Sequence, residues 1–167
     1  QLTLHHIICD GWSLGVLTRE LSALLADSAA ELPELSVQYG DYAWWQKDWL
    51  ESGQLERQLA YWRQRLSGAP PLLQLRNARP RPAERRDVGA TLSRELSNAI
   101  AAPLHALALR EGVSLYMVML AAYGILLARY SGATDLVVGT PIANRPRSEL
   151  EPLVGFFANT LPIRISV

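Results

Sequence analysis

The chain has 167 residues, 49% of them hydrophobic and 19% charged, which is enough for a sizeable core of ordinary globular composition. Lysine plus arginine and aspartate plus glutamate both number 16, so the formal net charge is zero and the basic excess of an electrostatic nucleic-acid binder is missing. No apolar run reaches the ~18 residues of a membrane-spanning helix, no signal-peptide pattern opens the chain, and the single cysteine, Cys9, cannot form an internal disulfide, so a cytoplasmic protein with neither nucleic-acid nor membrane partners is expected.

The opening stretch QLTLHHII mixes alternation with β-branched residues and predicts a strand. A helix then begins near Asp10 to Ser13, either of which can cap it. Leu14, Leu17, Leu21, Leu24 and Leu25 fall at helical spacing and predict its buried face. Pro33 punctuates the break after it. Residues 38 to 66 read as helical and are crowded with aromatics: Tyr39, Tyr42, Trp44, Trp45, Trp49, Tyr61 and Trp62. Gly53 is placed to divide this stretch into two helices, and the aromatics are expected to form core.

Residues 76–90 continue an irregular stretch rich in arginine and proline, with Arg76, Arg79, Arg81, Arg85 and Arg86. That composition predicts a solvated connection. Beyond it, GATLSREL predicts a short strand. A helix follows, with Pro103 at the start of a second segment and Gly112 at its end. Ser114 caps the next helix, SLYMVMLAAYGILLARYSG, which is apolar nearly all round and therefore expected to be deeply buried. DLVVGTPIANR reads as a strand and loop, and LVGFFANTLPIRISV as an extended segment. Alternating strands and helices give an α/β class. The chain starts and stops in strand-like sequence, so it is expected to be a piece of a larger protein whose own stability depends on absent neighbours.

LHHIICDGWS carries the chemistry. Neighbouring residues of a strand point to opposite faces, so one of His5 and His6 is expected to face a site while the other packs or holds backbone. A metal site is not expected, because such sites need about three or four converging ligands and the only other histidine is His105. Acid–base chemistry is the alternative, since imidazole titrates nearest neutral pH. Gly11 permits a sharp turn or close approach to a ligand. The ordinary reading is a pair of packed histidines followed by an N-cap aspartate.

His5-His6-x-x-x-Asp10-Gly11 resembles the HHxxxDG signature of nonribosomal peptide synthetase condensation domains, members of the chloramphenicol-acetyltransferase-like acyltransferases. YGDYAWW, Tyr39 to Trp45, resembles the family's YxDFAVW, with Tyr42 in place of Phe and Trp44 in place of Val. VGFFANTLPIR, Val154 to Arg164, resembles (I/V)GxFVNTxxxR, with Ala158 in place of Val. VVGTPIANRPR, Val137 to Arg147, is also similar to family sequence. The motifs stand in family order and span nearly the whole chain.

The resemblance implies an incomplete two-lobe sandwich. Residues 1–75 would end the first lobe with its HHxxxDG motif, 76–90 would connect, and 91–167 would form a truncated second lobe. The motif loop would lie in the tunnel between lobes. The implied reaction is peptide-bond formation in antibiotic and other secondary-metabolite biosynthesis. The partners would be upstream and downstream peptidyl carrier domains and an adenylation domain of the same polypeptide. No cofactor is expected on the chain itself, because 4′-phosphopantetheine is carried by the carrier proteins. His6 would be the main functional side chain, as a base or as a group that positions the amine, and Gly11 would offer its backbone N–H. His5, Asp10 and Trp12 would support the site. Asp10 would pair with a distant arginine, Arg145 being favoured over Arg164. Ser13, Asn159 and Thr160 are tunnel candidates.

The same signature also fits an epimerization domain or a catalytically inactive domain that recruits carrier proteins or tailoring enzymes. A heterocyclization domain is disfavoured because it replaces the two histidines with aspartate. The fragment alone is expected to be inactive, with half the tunnel absent.

Overall fold

The computed structural model describes residues 2–75, 84 and 88–167. The Arg76, Arg79, Arg81, Arg85 and Arg86 stretch lies outside the described residues. Five α-helices are described: α1 (Gly11–Ala26), α2 (Tyr39–Trp49), α3 (Leu55–Arg65), α4 (Asn98–Glu111) and α5 (Leu115–Ser131). Two strands, β1 (Asp135–Ile142) and β2 (Asn159–Ser166), pair in a two-stranded sheet. Val167 N–H donates to the Thr134 carbonyl, and Thr160 lies beside Gly139, so residue numbers run in opposite directions and the pair is antiparallel.

Local chemistry explains most boundaries. The Asp41 carboxylate accepts from the Gln38 N–H at 2.8 Å and closes the start of α2. A π-helical turn, Leu50–Gln54, leads from α2 to α3, and inside it Gly53 takes φ 93, a conformation open to glycine at little cost. Ser114 caps α5 by accepting from the Met117 N–H at 3.2 Å. Gly112 and Gly132 end α4 and α5 in the left-handed conformation.

The chain divides into two compact units. One comprises Gln1–Ser67 and Gly139–Ile163; the other comprises Gly68–Val138 and Arg164–Val167. This grouping differs from the sequence-order division at residues 75 and 90, whose lobe assignment is an expectation drawn from the resemblance. The first unit has a core of Tyr42, Leu150, Leu153 and Phe157, with Val37 and Trp45 packed against it. In the second unit α4 and α5 pack together, and a Cβ on Gly124 would stand 3.2 Å from Ile165 of β2.

Several expectations are corrected. Residues 2–8 form no strand; the Ile8 N–H donates to the His5 carbonyl, and this turn replaces a ladder. GATLSREL forms no strand either. Pro103 lies inside one continuous α4 and starts no second segment. The side of α1 that packs is Ser13 and Val16, whereas Leu14, Leu21, Leu24 and Leu25 are exposed. Helix α5 is likewise exposed at Tyr116, Met117, Tyr123, Leu126 and Tyr130. Apolar periodicity marks these faces for burial, but the described residues provide nothing to cover them. Among the aromatics of α2 and α3, Tyr42 is core while Trp44 and Tyr61 are exposed.

Candidate active site

Asp10 ends the opening segment and starts α1. Its Oδ1 accepts from the Ser13 N–H at 2.8 Å, the N-cap bond of the helix. The same oxygen lies 2.8 Å from the Ser13 hydroxyl and 3.4 Å from Arg145 Nη2. Oδ2 accepts from the Phe157 N–H at 3.0 Å and the Ala158 N–H at 3.2 Å. Asp10 is only 2% exposed. Burial pushes its carboxyl up. The Ser13 N–H and hydroxyl, the Phe157 N–H and the Arg145 charge together outweigh burial and lower it to about 2. Asp10 is therefore a fixed anion near neutral pH, suited to holding backbone and unsuited to carrying a proton.

Arg145 is the partner of Asp10. Asn144, just before it, takes φ 52, a left-handed conformation that asparagine tolerates better than most residues. The Arg145 side chain is 2% exposed. Its Nη1 donates to the carbonyls of Leu150 and, at 2.8 Å, Leu153, while Nη2 donates to the Ser13 hydroxyl at 3.0 Å. The guanidinium carbon stands 3.9 Å from the Phe157 ring centroid and 5.9 Å from that of Trp12. Trp12 adds an indole N–H bond to the Glu151 carbonyl at 2.9 Å. One guanidinium thus gathers the short 3₁₀ turn Ser148–Leu150, the start of α1 and the Phe157 ring. Arg164 lies elsewhere: it donates to both oxygens of Asp135, at 2.8 and 2.6 Å. That bond raises the Arg164 pKa and lowers the Asp135 pKa.

His5 and His6 sit at the turn before Asp10. His5 Nδ1 accepts from the Ile7 N–H at 3.1 Å, so this ring holds backbone. His6 is exposed, and its ring meets Phe156 edge to face, with centroids 5.4 Å apart and planes at 81°. The opposite-face argument does not apply here, because the segment turns.

Gly11 is the first residue of α1, its backbone is not left-handed, and an added Cβ would meet nothing within 4 Å. The sharp-turn reading of Gly11 is thus corrected. Ser13 has no exposed surface and lines no opening, contrary to its expected place in a tunnel. Asn159 and Thr160 are both exposed at the start of β2, where the Asn159 side-chain oxygen accepts from the Thr160 N–H at 2.8 Å. Among the described residues no three His, Cys, Asp or Glu side chains converge to hold a metal.

Sequence reasoning misses Phe156, the bond Tyr39 makes to it and the part played by Ser13. The Tyr39 hydroxyl donates to the Phe156 carbonyl at 2.8 Å, so Tyr39 and His6 contact the same residue. Spacing carries no sign of this, since 117 positions separate Tyr39 from Phe156.

Comparison with known proteins places this arrangement. The condensation-domain family model matches residues 1–167, and the chain belongs to that family. The chain is 51% identical over 165 residues to one of the linear gramicidin synthase proteins of Brevibacillus parabrevis, covering 96% of itself and 3% of that protein. It is 46% identical over 170 residues to the phosphinothricin tripeptide synthetase PhsC of Streptomyces viridochromogenes, covering 99% of itself and 16% of that protein. Among solved structures, the X-domain from teicoplanin biosynthesis matches with a TM-score of 0.83 at 31% identity, over 98% of this chain and 38% of that one. The first condensation domain of the calcium-dependent antibiotic synthetase, in complex with a substrate analogue, matches with a TM-score of 0.80 at 26% identity, over 98% and 37%. The fold is thus the chloramphenicol-acetyltransferase-like one expected, in part: the chain spans under two-fifths of those solved chains and a small fraction of the synthetases.

Proposed function

We propose that this chain, within a complete condensation domain, serves peptide-bond formation between two carrier-bound thioesters. The α-amine nitrogen of the downstream aminoacyl thioester attacks the carbonyl carbon of the upstream donor. The C–N bond forms, the C–S bond breaks, the amine loses a proton, and the departing thiolate takes one up. No side-chain nucleophile is needed. The observation that carries this reading is the exposed His6 imidazole, on a turn whose far end is fixed by the Asp10–Arg145 pair. His6 is assigned the amine, which it positions or deprotonates; an α-amine with a pKa of about 8 is partly neutral already, so the demand on a base is modest. Asp10 keeps its charge and supports the turn. The phosphopantetheine arms belong to the carrier partners and bring both substrates.

A second reading is a domain that recruits an enzyme or carrier without condensing anything. It is favoured by the likeness to the teicoplanin X-domain, which has been solved in a complex with OxyB, at a TM-score of 0.81. The parent synthetase decides between them when both carriers are loaded and the downstream carrier is followed by intact-protein mass spectrometry. A dipeptidyl thioester supports condensation. A tethered residue that changes only its stereochemistry indicates an epimerase. Carrier binding with neither reaction supports recruitment.

A further inference from the structure

The Ser13 hydroxyl is used to capacity. It accepts from the Gly155 N–H and from Arg145 Nη2, both at 3.0 Å, and its one proton lies between Asp10 Oδ1 and the Gly155 carbonyl, each 2.8 Å away. The Asp10 N–H reaches the same Gly155 carbonyl at 3.3 Å. Both backbone polar groups of Gly155 are therefore held by the start of α1. The next residue is Phe156, whose carbonyl is held by Tyr39 and whose ring meets His6.

We propose that Ser13 is a positioning residue: by clamping Gly155 it fixes the Phe156 platform against which the His6 ring rests. The inference builds on the condensation reading of His6 and adds two residues, Ser13 and Phe156, that act through it. Ser13 is wholly buried, so it acts through the residues it bonds and offers no surface of its own. Phe156 is partly exposed and belongs to none of the core residues, so its loss leaves the core of its unit intact. Small displacements of a functional group lower turnover steeply, and they do so without removing substrate contacts.

The test uses the parent synthetase with its upstream carrier loaded and a soluble aminoacyl pantetheine thioester as acceptor. Initial rates are measured against acceptor concentration for Ser13→Ala, Phe156→Leu, the double variant and His6→Ala. Each of the first two is expected to lower kcat about tenfold with KM little changed. The double variant is expected to be no slower than the slower single one, because both act along one path. Ser13→Thr, which keeps the hydroxyl, is expected to restore much of the rate. A full rate for Ser13→Ala, with His6→Ala impaired, overturns this inference alone. Effects that multiply in the double variant also overturn it. An unimpaired His6→Ala overturns the reading of His6 and this inference with it. Where Ser13→Ala does not fold, an unchanged rate for Phe156→Leu overturns the inference and a selective fall in kcat supports it.

Discussion

Tyr39 fills the space that a side chain at residue 155 would need: a Cβ on Gly155 would stand 2.2 Å from Tyr39 Cδ2 and 2.5 Å from Cε2. No rotation of a tip relieves this, because those atoms belong to a ring held by its hydroxyl bond to Phe156. Gly155→Ala should destabilise the domain by about 1–3 kcal/mol as overpacking. Tyr39→Leu should relieve part of that, so the double variant falls short of the sum of the two singles. Denaturant midpoints of the four proteins check it.

Arg145 and Arg164 should respond differently to truncation. Arg145 is buried with Asp10, and removing it strands a buried carboxylate, a loss of about 3–5 kcal/mol. Arg145→Lys should recover little, since one ammonium cannot reach the Leu150 and Leu153 carbonyls, Ser13 and Asp10 together. Arg164 and Asp135 are partly exposed, at 27% and 38%, so Arg164→Ala should cost clearly less. Thermal melting of the two alanine variants under one buffer ranks them.

Acid should release the Asp10 clamp late. Its carboxyl has an ordinary value of 3.8 and is held at about 2 in the folded state. The stabilisation is fully present above about pH 4 and is lost as pH falls from there to about 2, because the unfolded chain takes up the proton first. The shift corresponds to about 2 kcal/mol. Asp10→Asn should flatten that part of the stability-against-pH curve while lowering stability at neutral pH.

Asn144 sets the bend before Arg145. Its φ of 52 disfavours branched side chains. Asn144→Val should cost about 1–2 kcal/mol, whereas Asn144→Gly should be nearly neutral. Limited proteolysis across residues 140–155 reports the difference.

Much of this is legible in the sequence because the deciding interactions are local. Ser114, Gly53 and Gly112 are read from turn chemistry alone, and the structure uses each of them as a cap or a break. The Asp10–Arg145 pair is favoured only through the motif resemblance, since 135 residues separate its members. What fails depends on neighbours. Residues 2–8 alternate like a strand, yet the His5 ring and carbonyl hold the Ile7 and Ile8 N–H groups in a turn. Leu14, Leu21, Leu24 and Leu25 of α1 have the right period but lie on the side left open. Ser13 reads as one more capping candidate; its burial beneath Gly155 is set by a contact 142 residues away, which no local pattern encodes.

The role proposed for His6 depends on the turn that the Asp10–Arg145 pair holds. Single-turnover formation of the dipeptidyl thioester, by the parent synthetase with both carriers loaded, tests it most directly in wild type and His6→Ala. A fall of about 10²-fold or more is expected for His6→Ala, with both carriers still fully loaded. An equal rate in the two proteins would contradict it.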